Sequence, residues 1–291
     1  MLVSICSSRN ICIDTENPVY NLFRRELLKR LLLSQNKRHL REGHPRLISY
    51  AFDHITAKVH VDGRFEDPDL CALEQLVFPN LAPDTVCLDI GANIGNHAVA
   101  FANHFAKVHA FEPNPNLSPV LRINARLRPN IQAWDIGCSS RTAEIEVSEN
   151  PENLGATGIG RKATRPDAAV VTFKVAPLDT LNVLAPGERL SFVKIDVEGH
   201  EPDVIEGAKS TLSAHMPLIA MEVDRATVKA DTNPALEALR KLGYAYFYEI
   251  RKPTIWERLL KRDTPLRLYA VSKLQRRNYR LFLVAAEPLA P

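Results

Sequence analysis

The chain has 291 residues, enough to bury a full core in one large α/β domain. Hydrophobic residues make up 45% and charged residues 24%, which excludes a disordered or fibrous chain. A formal net charge of +3 is too small to point to nucleic acid as a partner, and none is expected.

Five cysteines (Cys6, Cys12, Cys71, Cys87 and Cys138) show no C-x-x-C spacing. They read as reduced thiols of a cytoplasmic protein, with no zinc site. Residues 1–18 lack a basic start followed by an apolar core, so no signal peptide is expected. Residues 20–40 read as a basic amphipathic helix. Leu22, Phe23, Leu27, Leu31 and Leu32 form its apolar side, and Arg24, Arg25, Lys29, Arg30, Lys37 and Arg38 carry the charge. Three readings stand for it: a helix packed on the domain, a helix lying on the inner membrane surface as a peripheral contact, or a partner-protein helix. No apolar run approaches the roughly 20 residues that span a bilayer. Residues 49–64 alternate loosely and end in the turn signal Asp62-Gly63. Leu70, Leu73, Leu76 and Val77 then predict a helix over 70–81.

The next stretch organises the rest. Val86-Cys87-Leu88-Asp89-Ile90-Gly91 is an apolar run of strand length ending in glycine. Ala92-Asn93-Ile94-Gly95-Asn96-His97 then opens a helix, with Ile94, Ala98, Phe101, Ala102 and Phe105 on one face. A strand feeding a helix through a glycine turn builds a ligand site at the strand's carboxyl end. The spacing is G-x-x-x-G, where a dinucleotide fingerprint has G-x-G-x-x-G. Asp89 two residues before the first glycine would repel a pyrophosphate but attract the sulfonium and ammonium of S-adenosylmethionine. Residues 107–113 read as a second strand ending in Glu112 and Pro113. Glu112 lies roughly twenty residues after the turn, where a ribose-hydroxyl acceptor belongs. The candidate cofactor set is therefore Asp89, Gly91, Asn93, Gly95, Asn96, Glu112 and Pro113.

A helix begins at Leu117 and Leu121, and a third strand runs over 130–136 with Asp135 near its end. Residues 143–147 and 170–175 alternate like strands around a glycine-bearing loop, a β-insertion over about 143–176. Residues 193–199, Val-Lys-Ile-Asp-Val-Glu-Gly, form a fourth core strand. Alternation sends Lys194, Asp196 and Glu198 one way, and His200 follows. A strand buried on both faces normally lacks such a polar set, so pairing or a cavity is implied. A helix starts at Pro202, a fifth strand runs over 217–223, and a helix from Pro234 is stopped by Gly243. Residues 244–250 and 279–285 read as a closing antiparallel hairpin. The connection between them, 251–278, carries Arg and Lys almost to the exclusion of acids, with Trp256, Leu259 and Leu260 interleaved. It reads as solvated surface, as a membrane contact, or as a mouth for an acidic acceptor.

Leu88-Asp89-Ile90-Gly91-Ala92-Asn93-Ile94-Gly95, Phe111-Glu112-Pro113 and Val193 to Gly199 occur in an order that resembles the FkbM family of S-adenosylmethionine-dependent methyltransferases. The resemblance runs from about residue 62 to about residue 248. It implies an α/β class I (Rossmann-like) methyltransferase fold: a seven-stranded, mostly parallel sheet with an antiparallel final hairpin. An N-terminal extension (1–61) would precede the methyltransferase domain (62–291). It also implies O-methylation of a hydroxyl on a small-molecule, sugar or glycan acceptor. In such a fold a short strand and a Gly-x-x-Glu-like segment precede the first core helix, as Gly63-Arg64-Phe65-Glu66 would. Asp135 would lie by the adenine edge, or else caps a turn. Asn153 and Thr157 would approach the substrate, or else form a plain hairpin tip.

Methyl transfer from a sulfonium is an in-line displacement, so the protein aligns the groups and removes a proton from a hydroxyl. The catalytic candidates are Asp196 first, then His200 as a neutral base, Lys194 as its neutralising partner, and Glu198. Glu198 and Glu201 read equally as acids at a helix N-terminus. Asp196 and Glu222 together suggest magnesium, but no third ligand is evident, so no metal is expected. A nicotinamide oxidoreductase and a non-catalytic adaptor remain the rival functions.

Overall fold

The computed structural model describes residues 4–5, 11–12, 18–149, 154–159, 168–223, 233–251, 267–271 and 279–289. Two short strands, β1 (Ser4–Ile5) and β2 (Ile11–Cys12), pair with each other near the N-terminus. Helices α1 (Pro18–Arg41), α2 (His54–Asp62) and α3 (Asp67–Leu76) follow. Two β/α units and a third strand come next: β3 (Val86–Ile90), α4 (Asn96–Phe101), β4 (Lys107–Phe111), α5 (Ser118–Ala125) and β5 (Ile131–Trp134). Strands β6 (Gly137–Cys138), β7 (Ala143–Ser148) and β8 (Val170–Ala176) form a separate small sheet. The main sheet resumes with β9 (Leu190–Ile195), α6 (Glu201–Gly207), α7 (Lys209–His215), β10 (Leu218–Val223) and α8 (Pro234–Lys241). It closes with β11 (Tyr246–Arg251), β12 (Arg267–Ala270) and β13 (Tyr279–Ala285).

The main sheet has the order β12-β11-β13-β10-β9-β3-β4-β5. Strands β10, β9, β3, β4 and β5 are parallel, and β13 enters antiparallel between β10 and β11. This is the class I methyltransferase arrangement, with one correction. Among the described residues the sheet has eight strands, because Arg267–Ala270 extends it as an edge strand beside β11. That segment lies inside the connection read from sequence as an insertion. Its short alternating run, Arg-Leu-Tyr-Ala, was hidden among the charges.

Alternation decides what covers each face. Val86, Leu88, Ile90, Val193 and Ile195 pack with Val204, Ile205, Leu212, Leu236 and Leu239 of α6, α7 and α8. Cys87, Phe192, Val108 and Ala110 pack with Leu70, Leu73, Ala98 and Phe101 of α3 and α4. Both faces are buried, which is why these strands read as nearly continuous apolar runs. The carboxyl ends of β3, β4 and β9 are left as one rim, where a doubly covered sheet places its ligand. The small sheet sits over that rim. Strands β7 and β8 pair antiparallel from Ala143↔Val175 to Ser148↔Val170, and Val147, Phe173 and Val175 form their own apolar cluster with Ile159.

Two expectations differ near the N-terminus. Residues 54–62 form a helix where loose alternation suggested a short strand. Asp53 caps it by accepting from the Ile55 amide at 2.8 Å, and the Gly63 amide closes its end on the Val59 carbonyl. Helix α1 spans 24 residues, close to the expected range, but it is not amphipathic. Leu22 and Leu31 are nine positions apart, on opposite sides at about 100° per residue. Both are more than half exposed, and no residue from Val19 to Arg41 is buried. Among the described residues no helix is long and apolar enough to cross a membrane.

Candidate functional site

The pocket lies on the rim formed by β3, β4 and β9. Its walls include Gly91, Asn93, Asn96, Glu112, Pro113, Lys194, Asp196, Glu198, His200 and Glu222. Phe173, Val175 and Ile159 of the small sheet and its connection cover it, with Leu154 and Thr157 beside them. From the N-terminal segment come His54, Ile55, Phe65 and Glu66.

Local geometry explains the motif. Gly91 has φ +80°, and a Cβ there would fall 1.8 Å from the Asp196 carbonyl oxygen, so only glycine lets the β3 turn pass β9. Asn93 is also left-handed, with φ +53°, a conformation asparagine tolerates. That twist points the Asn93 amide at Glu112 Oε2, 2.8 Å away, while the Asn114 amide donates to Oε1 at 2.9 Å. Glu112 is thus fixed with lone pairs to spare, since a carboxylate accepts about four hydrogen bonds. Burial pushes its pKa up to about 7, partly offset by those two amides.

The opposite wall is a charged cluster. Lys194 is buried, with its Nζ 3.1 Å from Asp196 Oδ2 and 3.5 Å from Asp89 Oδ1. Burial opposes its charge, but Asp196 and Asp89 outweigh that and raise its pKa, so it stays an ammonium. Strand β9 ends at Ile195, so the expected alternation stops there: Asp196 follows the strand, its amide donating to the Ile90 carbonyl. Glu198 takes φ +56° in the turn beyond. Glu222 near the end of β10 completes the group; oxygens of Asp196, Glu198 and Glu222 lie within 4.8 Å of one another. Burial, then Asp196 and Glu198, push the Glu222 pKa up to about 8. The third carboxylate missing from the sequence reading of a metal site is therefore Glu198.

Several expected residues are placed elsewhere. Asp89 is fully buried behind Lys194 and does not line the pocket; burial raises its pKa, and Lys194 opposes that rise. Its nearest opposite charge is the Lys194 ammonium, 3.5 Å away. Gly95 caps α4 with φ +88° and packs against Leu121, also off the pocket wall. Asn96 lines the pocket, yet its amide is engaged with the Phe65 backbone in both directions, at 3.0 and 2.9 Å. Asp135 is exposed, ion-paired with Arg122, and off the pocket wall. His200 reaches the pocket wall, but its Nε2 bonds Ser139 Oγ at 2.9 Å and its Nδ1 faces Asp203 at 3.5 Å. With both nitrogens turned to neighbours, and burial lowering its pKa, it ties α6 to β6 more than it serves the cavity. Asn153 and most of the basic connection lie outside the described residues.

Sequence reasoning missed His54, Glu66 and His97. Each arrives from another element: Glu66 Oε2 lies 3.5 Å from His97 Nε2, and His97 is buried on α4. The Gly63 to Glu66 segment was the one available signal.

Residues 89–246 match the family model of the Methyltransferase FkbM domain. The hexuronic acid methyltransferase AglP of Haloferax volcanii is 31% identical over 141 residues, 48% of this chain and 56% of that protein. The chain thus spans about half the length of the curated relative it matches. Among solved structures, the methyltransferase FkbM from Methylobacillus flagellatus KT is 16% identical, with a TM-score of 0.44 over 86% of this chain and 58% of that one. SMU.1697c from Streptococcus mutans, in complex with SAH, is 11% identical, with a TM-score of 0.41 over 75% of this chain and 96% of that one. The family match takes in the glycine turn, Glu112 and the Lys194 to Glu198 segment at once, and on it this chain belongs to the FkbM methyltransferase family.

Proposed function

We propose that the chain is an S-adenosylmethionine-dependent O-methyltransferase whose acceptor is a hydroxyl of a sugar, a glycan or a related small molecule. The observation that carries the reading is the Glu112 carboxylate, held by the Asn93 and Asn114 amides beside the Gly91 turn with acceptor capacity left over. That capacity suits the paired hydroxyls of a ribose. The relative named for hexuronic acid supports a sugar as acceptor.

When bound, S-adenosylmethionine supplies a methyl group on a positively charged sulfur, an electrophile that needs no further activation. The chain's own residues supply the rest. Asp196 is anchored at Oδ2 by Lys194, so its other oxygen is free to take the acceptor's hydroxyl proton. Lys194 sets its positive charge 3.1 Å from that carboxylate, within the pocket wall. The Asp196, Glu198 and Glu222 wall favours positive charge in the cavity. Phe173, Val175 and Ile159 exclude water over it.

Calorimetric titration with S-adenosylmethionine and with NAD tests the cofactor. Binding of the first and not the second is expected; the reverse would sink the reading. A methyl-transfer assay over methyl glycosides that differ only in their hydroxyls then tests the acceptor, and transfer to none of them would remove the sugar.

A further inference from the structure

A second cluster lies at the far end of α1, away from the pocket. His39 on the last turn of α1, Glu42 just after it, and His44 two residues on bring one ligand atom each within 4.8 Å of one another. His39 Nδ1 lies 3.7 Å from Glu42 Oε2, and His44 Nε2 lies 3.6 Å from the same oxygen. Three donors around a zinc ion at about 2.0–2.2 Å stand roughly 3.3–3.5 Å apart in tetrahedral geometry. The two imidazole-to-carboxylate distances are a few tenths of an ångström longer than that.

The protonation pattern points to a ligand. His39 Nε2 lies 3.1 Å from the His60 carbonyl oxygen, which can only accept. Nε2 therefore carries a hydrogen, which leaves Nδ1 as the nitrogen placed to offer a lone pair to a metal. Nδ1 is buried, no donor reaches it, and it faces the cluster. An imidazole that donates one N–H to a backbone carbonyl and presents its other nitrogen unpaired is the arrangement of a metal-ligating histidine. Glu42 is oriented in the same way: Arg38 Nε donates to Oε1 at 2.8 Å and leaves Oε2 to the two rings. Burial, then Arg64, lower the His44 pKa, which favours the neutral ring a metal needs. Arg64 is itself paired with Asp67 and Glu74, which offsets its repulsion of a cation. Gly63 leaves the room: a Cβ there would lie 2.7 Å from His44 Nε2 and 2.9 Å from His39 Nδ1. The two rings meet edge to face at 5.3 Å, but ring packing alone gives no reason for the buried, unpartnered nitrogen.

We propose that His39, Glu42 and His44 bind a divalent transition-metal ion, zinc by preference, with water completing its coordination. Two imidazoles and one carboxylate select such an ion over magnesium or calcium. The ion would clamp the end of α1 against the end of α2, where the His60 carbonyl and Gly63 already hold the site. Its role is structural, and it does not depend on the methyltransferase reading.

The test uses the full chain without a histidine tag, stripped with a chelator and titrated with Zn²⁺ against a chromogenic competitor. One saturable equivalent per chain is expected, unaffected by millimolar Mg²⁺. His39→Ala and His44→Ala should each weaken binding ~100-fold or more, the upper end of the range for losing an outer partner alone. Glu42→Gln preserves shape and should also weaken it. Co²⁺ should give visible d–d bands in the wild type that vanish in His44→Ala. Circular dichroism and calorimetry with S-adenosylmethionine check that each variant is folded. No saturable uptake by the wild type, or the same stoichiometry and affinity in a folded His39→Ala/His44→Ala variant, would overturn the site.

Discussion

The β3 rim and helix α1 both gather charge and apolar residues in quantity, yet they treat them in opposite ways. At the rim, Asp89 and Lys194 are buried and paired, and the leucines and isoleucines of β3 and β9 are in the core. Along α1, seven Lys and Arg residues against the single Glu26 share a helix with leucines that point outward on every side. Burial makes each charge at the rim expensive to leave unpaired, so sequence and geometry are tightly coupled there. Exposure on α1 removes that coupling. Substitutions should therefore act strongly at the rim and weakly on the helix, and the predictions below run from the one to the other.

The largest effect is expected at Asp196. Asp196→Asn keeps the shape and removes the charge that Lys194 holds in place. Single-turnover methyl transfer should fall by roughly 10²-fold or more while calorimetric affinity for S-adenosylmethionine survives. A rate near wild type would clear Asp196 of proton removal. Repeating the assay with a chelator separates this from a metal held by Asp196, Glu198 and Glu222.

Glu112 comes next. Its removal strands the Asn93 and Asn114 amides as well as any ribose hydroxyls. Glu112→Ala should weaken S-adenosylmethionine binding by about 1–3 kcal/mol, or roughly 5- to 150-fold. Unchanged affinity by calorimetry would take Glu112 out of the site.

A smaller effect concerns pH. Glu222 is pushed up to about 8 and Glu112 to about 7, both well above an ordinary glutamate. A carboxyl with a raised folded-state pKa adds stability below its unfolded pKa, near 4.3, and loses it as pH climbs through the folded value. The ligand-free protein should thus lose thermal stability between about pH 5 and pH 8, and Glu222→Gln should flatten that slope. A cationic ligand favours the ionised carboxylates, so binding near pH 7 should release protons. Calorimetry in buffers of different ionisation enthalpy measures that release, and proton uptake would contradict the assignment.

The same contrast explains what could be read from the sequence. Strand order and the glycine turn were legible because close backbone approach and double burial leave few residue choices at each position. Asp89 was legible as important but not in its role, since a strand's alternation does not tell a pocket-facing carboxylate from one buried behind a lysine. Asp135 is similar: position at a strand end says nothing of the arginine that pairs with it. Glu66 joins the wall only through the docking of Phe65 on Asn96, which is a tertiary fact. The eighth strand was hidden because β12 is short and sits among cations. On α1 five selected residues suggested one apolar side, but Leu22 and Leu31 among them fall on opposite sides of the helix. Leu28 and Leu33, also exposed, carry the apolar surface further round the helix.

The smallest effect sharpens the comparison most. Leu28 and Leu31 are 52% and 55% exposed, whereas Leu88 on β3 is fully buried. Leu88→Ala should lose about 2–5 kcal/mol of stability, through lost transfer energy and the cavity left among the β3, β9 and α6 side chains. Leu28→Ser and Leu31→Ser remove side chains that touch little of the domain, so each should stay within about 0.5 kcal/mol of wild type. Serine lowers helix propensity by only a few tenths of a kcal/mol at each position, which sets the floor of what a denaturation curve can detect. Chemical denaturation of the three variants measures the difference directly. A loss of about 2 kcal/mol or more in either serine variant would mean that α1 packs its leucines in solution, and would erase the distinction between helix and rim.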